Sequence, residues 1–99
     1  MSKVKSKYID LVEDYINLLK EMKCASERKN GYKKYDITNP SDREKCLNHC
    51  LWMLEKMKND FQNDSEKFMR WLGFVQGQLE LLEVFTISQM RKHNVSGEM

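Results

Sequence analysis

Arg70 and Trp71 are the residues best suited to chemistry in this 99-residue chain. They lie next to each other in an apolar stretch, residues 69–78, which also contains Gln76. A guanidinium among apolar neighbours needs a partner, since an unpaired buried charge is very costly. The partner is either a carboxylate of the protein, such as Glu66 one turn earlier, or a bound anion held by two hydrogen bonds. For a bound anion we expect Arg70 to hold a phosphate, Trp71 to stack and Gln76 to read a polar edge.

A second group of candidate ligand-binding residues lies outside that stretch. The segment 28–35 carries Lys33, Lys34 and Tyr35, and cations beside tyrosine rings attract phosphates and bases. The same composition also suits a solvated loop next to a helix C-terminus. His49 is a further polar candidate on a predicted helix. We expect His49, Lys33, Lys34 and Tyr35 to border the anion site, reaching in from the loop or from another subunit.

Cys46, His49 and Cys50 share one side of a predicted helix and could be metal ligands. Three ligands from one helix are awkward for tetrahedral zinc, whose structural sites usually take ligand pairs from two elements. The other interpretation is that both cysteines are small core residues, and the sequence leaves a metal role open. No nucleophile stands beside an acid or base at a catalytic spacing. We therefore expect a non-enzymatic protein without a catalytic residue or cofactor, and we assign no metal ligand.

Composition narrows the class of protein. Lys and Arg number 17 against 15 Asp and Glu, which leaves a net charge of +2. This balance favours neither a dedicated nucleic-acid binder nor an acidic mimic of DNA. No apolar run approaches the roughly 20 residues that span a bilayer, and the N-terminus lacks the pattern of a signal peptide. We expect a cytoplasmic protein with reduced cysteines and no membrane partner.

Apolar residues recur at spacings of three and four along most of the chain, which predicts an all-α protein. Ser41 with Glu44 and Thr86 with Gln89 have the spacing of capping boxes. A short linker near residues 62–65 predicts that the second and third helices form an antiparallel hairpin. We expect one domain over residues 1–99, a small bundle of three long helices and a short one, with helices at about 2–28, 41–62, 64–85 and 87–93, a loop at 29–40 and a mobile tail at 94–99.

The third predicted helix has a second apolar face, on the side away from its core stripe, and this face predicts that the protein is oligomeric. Gly73 and Gly77 lie in the helix interior, where each glycine costs about 1 kcal/mol relative to alanine. They share a face with Phe74 and Leu81, and a chain this short offers little material to cover it. We expect a homo-oligomer with Gly73, Phe74, Gly77 and Leu81 in its interface. The alternatives are another helix of the same chain or a ligand on the exposed backbone.

The stretch Lys67-Phe-Met-Arg-Trp-Leu-Gly-Phe-Val-Gln-Gly77 resembles the R-W-L-G-F-x-Q-G segment of small helical proteins encoded by tailed bacteriophages and prophages. In that group the segment leads to a T-I-x-E-like short helix, here Thr86-Ile-Ser-Gln89. It follows an H-x-x-W-M-like segment, here His49-Cys-Leu-Trp-Met53. The resemblance covers the C-terminal half, and Gln89 replaces the acidic residue of the pattern. It implies an accessory protein that acts on the host, and phages carry small oligomeric helical proteins that sequester nucleotide immune signals.

Together these features predict a non-enzymatic phage protein in the host cytoplasm that binds and sequesters a small anionic ligand, such as a nucleotide immune signal. The alternative is a helical protein-interaction module that inhibits a host protein. A third hypothesis is nucleic-acid binding through the basic segment 28–35, which the near-neutral remainder of the chain makes less favoured.

Overall fold

The computed structural model describes residues 2–29 and 35–99. This part of the chain contains four α-helices. No β-strand occurs among these residues, so the all-α prediction is confirmed. None of the helices in this part combines the length and the apolar character that crossing a membrane requires. The helices are α1 (Ser6–Glu21), α2 (Pro40–Asp60), α3 (Ser65–Leu81) and α4 (Ile87–Ser96).

α2 and α3 form an antiparallel hairpin. The Phe61 ring at the end of α2 meets the Trp71 ring in the first half of α3, with ring centroids 4.8 Å apart. At the opposite end, the guanidinium of Arg43 in α2 donates a hydrogen bond to the carbonyl of Leu82, which caps the C-terminus of α3. The start of one helix therefore lies beside the end of the other, as the short linker predicted.

Side-chain caps fix where α2 and α4 begin. The Asn39 side chain accepts a hydrogen bond from the backbone N–H of Ser41 at 2.9 Å, and Pro40 occupies the first helical position. Ser41 is therefore not the cap, and its predicted capping box is wrong. The box at α4 is confirmed. Thr86 Oγ1 accepts from the Gln89 N–H at 3.1 Å, and Gln89 Oε1 accepts from the Thr86 N–H at 2.8 Å.

α1 is shorter at both ends than the predicted range of 2–28. Residues 2–5 lie outside the helix, with Lys5 in an extended conformation. The Val4 N–H donates to the Gln62 carbonyl in the α2–α3 turn at 2.8 Å. At the other end Lys23 has φ 67°. There the Cys24 N–H donates back to a carbonyl of the last turn, which is the pattern of a Schellman motif. The chain before α1 is thus tied to the α2–α3 turn, and the left-handed Lys23 closes the other end of the helix.

α3 and α4 also differ from their predicted ranges of 64–85 and 87–93. α3 ends at Leu81, and Glu83 follows it with φ 62° in the same kind of left-handed end. α4 continues to Ser96, and Gly97 caps it with φ 77°. The tail that was predicted to be mobile from residue 94 therefore begins inside a helix.

The core lies between α1, α2 and α3, with α4 packed against α1. α1 presents a broad apolar face to the hairpin, so it packs within its own chain. The apolar stripes predicted for the two hairpin helices are all buried. They comprise Leu47, Cys50, Leu54, Met57 and Phe61 from α2 and its C-cap, and Phe68, Leu72, Val75, Leu79 and Leu82 from α3 and its C-cap.

Candidate functional site

A groove between α2 and α3 brings together three of the predicted binding residues. His49, Arg70 and Trp71 line it, with Met53 and Phe74, and its volume is about 350 Å³. Side chains four residues apart share a helix face, which places Met53 beside His49 and Phe74 beside Arg70. The volume is near the lower end of the range for small-molecule sites, about 300–1,000 Å³. We call this cavity the hairpin groove.

Aromatic rings continue the wall of the hairpin groove. The Trp52 ring stacks on His49, with centroids 5.6 Å apart and planes 14° apart. It also lies 6.1 Å from the Trp71 ring, and both tryptophans are only partly buried. Flat, partly exposed rings of this kind can stack on a planar ligand ring.

Two cations lie over these rings. The Arg28 guanidinium is 5.5 Å from the centre of the Trp52 ring. The Lys67 ammonium is 4.4 Å from the centre of the Phe61 ring and 5.9 Å from that of Trp71. The aromatic wall therefore carries positive charge near both of its ends, which favours an anionic ligand.

Arg70 is exposed, whereas the sequence predicted a partly buried guanidinium. Within the described residues the ion pairs join Lys56 to Asp60 and Lys58 to Glu13. Arg70 thus has no carboxylate partner in this part of the chain, and the salt bridge to Glu66 is not formed. The guanidinium at the edge of the groove is available to an anion.

The segment that follows α1 fixes the position of His49. The Ala25 N–H donates to Asn48 Oδ1 at 3.0 Å, and the Lys29 N–H donates to His49 Nδ1 at 3.3 Å. Because Nδ1 accepts a hydrogen bond, the proton of the neutral ring is on Nε2. Burial, with help from the positive charges of Lys29 and Arg28, lowers the pKa of His49. The ring is therefore uncharged at neutral pH.

Gln76 does not line the hairpin groove. Its side chain is buried, and its Nε2 donates to Asn94 Oδ1 at 2.8 Å and to the Tyr15 hydroxyl at 3.2 Å. The same hydroxyl lies 2.7 Å from His93 Nδ1. The predicted role of Gln76 at the ligand is therefore replaced by a structural one. It belongs to a largely buried set of hydrogen bonds between α1, α3 and α4, which we call the polar latch: Tyr15, Gln76, His93 and the partly buried Asn94.

The other predicted contacts come from the loop before α2. Lys33 and Lys34 lie outside the described residues. Tyr35 is partly buried against the core, and the Lys29 ammonium lies 5.4 Å from the centre of its ring. Tyr35 is not among the residues that line the hairpin groove.

The cysteines of α2 are core residues. Cys50 is fully buried, and burial, with the nearby Cys46 thiol, raises the pKa of Cys50 to about 12. A thiol with so high a pKa is a poor nucleophile and a poor metal ligand at neutral pH. Across residues 2–29 and 35–99, no cluster of three or more His, Cys, Asp or Glu side chains could hold a metal ion.

The face of α3 that carries the glycines is exposed. Phe74 is 46% exposed and Leu81 50%. A Cβ atom at Gly73 or Gly77 would meet no other atom within 4 Å. In the described part of the chain, therefore, no other helix packs on these glycines, and that alternative is excluded.

A larger hollow of about 510 Å³ lies at the start of α4. Glu80 and Glu83 are among the residues that line it. Their carboxylates would repel an anion, so the smaller hairpin groove is the better candidate for an anionic ligand.

Four residues around the hairpin groove were not among the predicted site residues. Trp52 and Met53 follow His49 by three and four positions, and this helical spacing could have identified them. Lys67 precedes Trp71 by four positions in α3, so the same spacing could have identified it as well. Arg28 reaches the Trp52 ring from the segment after α1, and the sequence carries no local signal for that approach.

No protein-family model, curated protein or solved structure matches the chain. The function is therefore inferred from the geometry and charge of the groove.

Proposed function

We propose that the hairpin groove binds a small anionic ligand with a planar ring, such as a nucleotide, and that the protein sequesters this ligand without transforming it. One observation carries the proposal. An exposed arginine without a carboxylate partner in the described part of the chain stands beside the partly exposed Trp71 ring, which lies 6.1 Å from the Trp52 ring. The resemblance to phage accessory proteins supports a nucleotide immune signal of the host as the ligand.

Each part of such a ligand has a matching group in the groove. Arg70 presents a planar fork of N–H donors, which fits two oxygens of a phosphate. Trp71 offers a ring face for a base, and stacking of this kind contributes about 1–3 kcal/mol per base. The neutral His49 ring has an N–H at Nε2 that can donate to a carbonyl or ring nitrogen of the ligand. Binding of both phosphate and base thus involves both helices of the hairpin.

A thermal-shift assay with mononucleotides, linear oligonucleotides and cyclic dinucleotides tests the proposal. At least one member of the panel should raise the melting temperature, since a ligand that binds only the folded state stabilises it. Arg70→Ala should weaken binding roughly 10- to 100-fold, because a hydrogen bond to a charged group contributes about 1.5–3 kcal/mol.

Arg91→Ala is the matched control. Arg91 is also an exposed arginine on a helix, but it lies on α4 and does not line the hairpin groove. This variant should keep the full shift. If no nucleotide shifts the wild-type protein, or if Arg70→Ala and Arg91→Ala behave alike, the proposed site is wrong.

A homo-oligomer is part of the same proposal. Gly73, Phe74, Gly77 and Leu81, the residues predicted for its interface, are all exposed on α3. Exposed apolar side chains concentrated on one face indicate an interaction surface.

The same face supports the second candidate function, an interaction module that inhibits a host protein. In that case no nucleotide would shift the melting temperature, and a host protein would be retained by the wild type but not by Leu81→Glu.

Nucleic-acid binding through segment 28–35 is the third candidate. It requires salt-sensitive retention on random-sequence DNA, because release of counterions dominates such binding.

A further inference from the structure

The exposed face of α3 has nearly the same pattern when read in either direction from Val75. Val75 itself is buried and points to the core. On the outer side of the helix, small residues flank this centre, followed at equal distances by charged and then apolar residues. The pairs, all exposed, are Gly73 and Gly77, Arg70 and Glu80, and Met69 and Leu81.

We propose that two copies of the chain pair through this face, with their α3 helices antiparallel about a two-fold axis at Val75. A two-fold axis brings the same surface of both copies together. Here it places Gly73 of one copy opposite Gly77 of the other. It also places Arg70 at the height of Glu80 of the second copy. At 3.6 residues per turn and with axes about 8 Å apart, the two Cβ atoms come within about 5 Å.

The glycines are explained by such a partner. Glycine weakens a helix interior, and no described residue of the same chain occupies the space where each Cβ would stand. Without side chains at these two positions, a second helix can approach the backbone closely. Phe74 and Leu81, which are half exposed in one copy, would then be covered.

Charge decides the orientation of the pair. Neither Arg70 nor Glu80 has an ion-pair partner among the described residues. Antiparallel pairing places Arg70 of each copy beside Glu80 of the other copy, and the two-fold symmetry forms this ion pair twice. Parallel pairing would instead bring the two copies of Arg70 to the same height, where like charges repel.

The interface also touches the hairpin groove, because Arg70 and Phe74 line that groove. This link between the dimer and the anion site rests on the proposed function. A guanidinium has five N–H donors, so Arg70 can hold a carboxylate of the second copy on one edge and a phosphate on another. The second copy would thus orient the residue that recognises the anion.

Sedimentation equilibrium of charge-reversed variants tests the pairing. Arg70→Glu and Glu80→Arg should each raise the Kd of the dimer at least about tenfold, since each replaces two attractions by two repulsions. The double variant should restore dimerisation. Arg91→Glu, an equivalent reversal outside the face, should leave the Kd unchanged. A monomeric wild type, or a double variant no better than the single ones, would overturn the proposal.

A second variant separates the helix contact from the charges. Gly77→Ala should weaken dimerisation and at the same time stabilise the isolated chain. Alanine is the better residue in a helix interior, and its methyl group would meet none of the described residues. Unchanged dimerisation in this variant would refute close approach of the helices.

The same variants distinguish this inference from the nucleotide site. The double variant should dimerise yet lose the nucleotide-induced thermal shift, because the carboxylate introduced by Arg70→Glu would repel a phosphate. A nucleotide shift in a strictly monomeric wild type would leave the groove proposal standing and refute the pairing. A dimer whose melting temperature does not respond to nucleotides would support the pairing and refute the groove proposal.

Discussion

Replacing Tyr15 by Phe tests how α4 is held on the bundle. The Tyr15 hydroxyl accepts a hydrogen bond from Gln76 Nε2 at 3.2 Å, so its own proton is free to be donated to His93 Nδ1 at 2.7 Å. Burial raises the pKa of Tyr15, although the hydrogen bond from Gln76 opposes this, and the phenol stays protonated at neutral pH. The substitution removes this one oxygen and keeps the ring.

The loss in the free energy of unfolding depends on which polar groups lose a hydrogen-bond partner in Tyr15→Phe. Gln76 keeps its two hydrogen bonds with Asn94, at 2.8 and 3.2 Å. His93 Nδ1, in a side chain that is only 5% exposed, loses its donor. Leaving one buried polar atom unsatisfied costs about 1–3 kcal/mol. For a chain of this length, a loss of about 2 kcal/mol corresponds to a fall of about 10 °C in Tm.

Urea unfolding followed by circular dichroism, together with a thermal melt, measures this loss. Tyr8→Phe is the matched control, because Tyr8 is a partly buried tyrosine of the same helix whose ring packs against the core. It should change stability by less than about 0.5 kcal/mol. If Tyr15→Phe were as stable as Tyr8→Phe, the polar latch would not hold α4.

Three further tests concern the buried histidines, Gly97 and Glu83. Burial lowers the pKa of His93 and of His49 below the ordinary 6.5, so the unfolded chain binds protons more readily, and stability should fall as the pH drops below about 6.5. Urea titrations at pH 7 and pH 5 should show this fall, and His93→Gln should reduce it; equal stabilities at both pH values would contradict it. Gly97→Ala should lower Tm, because Gly97 has φ 77° and a Cβ there would lie 2.5 Å from Lys7 Cβ; an unchanged Tm would mean that this end is not packed on α1. Glu83→Gly should raise stability by about 1 kcal/mol, because it removes the cost of φ 62° in a residue with a side chain, and a loss of stability on urea unfolding would count against this.

The helices of the hairpin could be predicted because their apolar periodicity is uninterrupted. Phe68, Leu72 and Val75 recur at a helical spacing and are all buried. The ends of α1 could not be predicted in this way. Residues 22–29 include good helix formers, but the backbone N–H groups of Ala25, Glu27 and Lys29 bond to Asn48 and His49 of α2. Such tertiary bonds leave no periodic pattern in the sequence.

The candidate site was predicted in part. The sequence identified His49, Arg70 and Trp71 as binding candidates, and the antiparallel hairpin places them around one groove. It misplaced Gln76, because a buried amide and a ligand-binding amide have the same sequence context. The distinction depends on Tyr15 and Asn94, which are distant in sequence and reach Gln76 only in the folded chain.

The exposure of Arg70 was not predicted either, because the sequence does not show which surfaces are covered in the folded chain. On a helical wheel it falls among apolar residues, and this predicted burial. In the structure those neighbours, Phe74 and Leu81, are themselves half exposed. A helical pattern shows which residues share a face but not whether anything covers that face. The second apolar face of α3 was predicted as a stripe, and none of the described residues covers it.

Tryptophan fluorescence is the most direct measurement of the central claim, the binding of a planar anion in the hairpin groove. The chain has two tryptophans: Trp71 lines the groove, and Trp52 stacks on the groove residue His49. Titration with the nucleotide that gives the largest thermal shift should quench this emission to saturation, and Arg70→Ala should shift the midpoint at least about tenfold. Emission that stays unchanged up to millimolar nucleotide, or quenching that Arg70→Ala does not alter, would contradict the account.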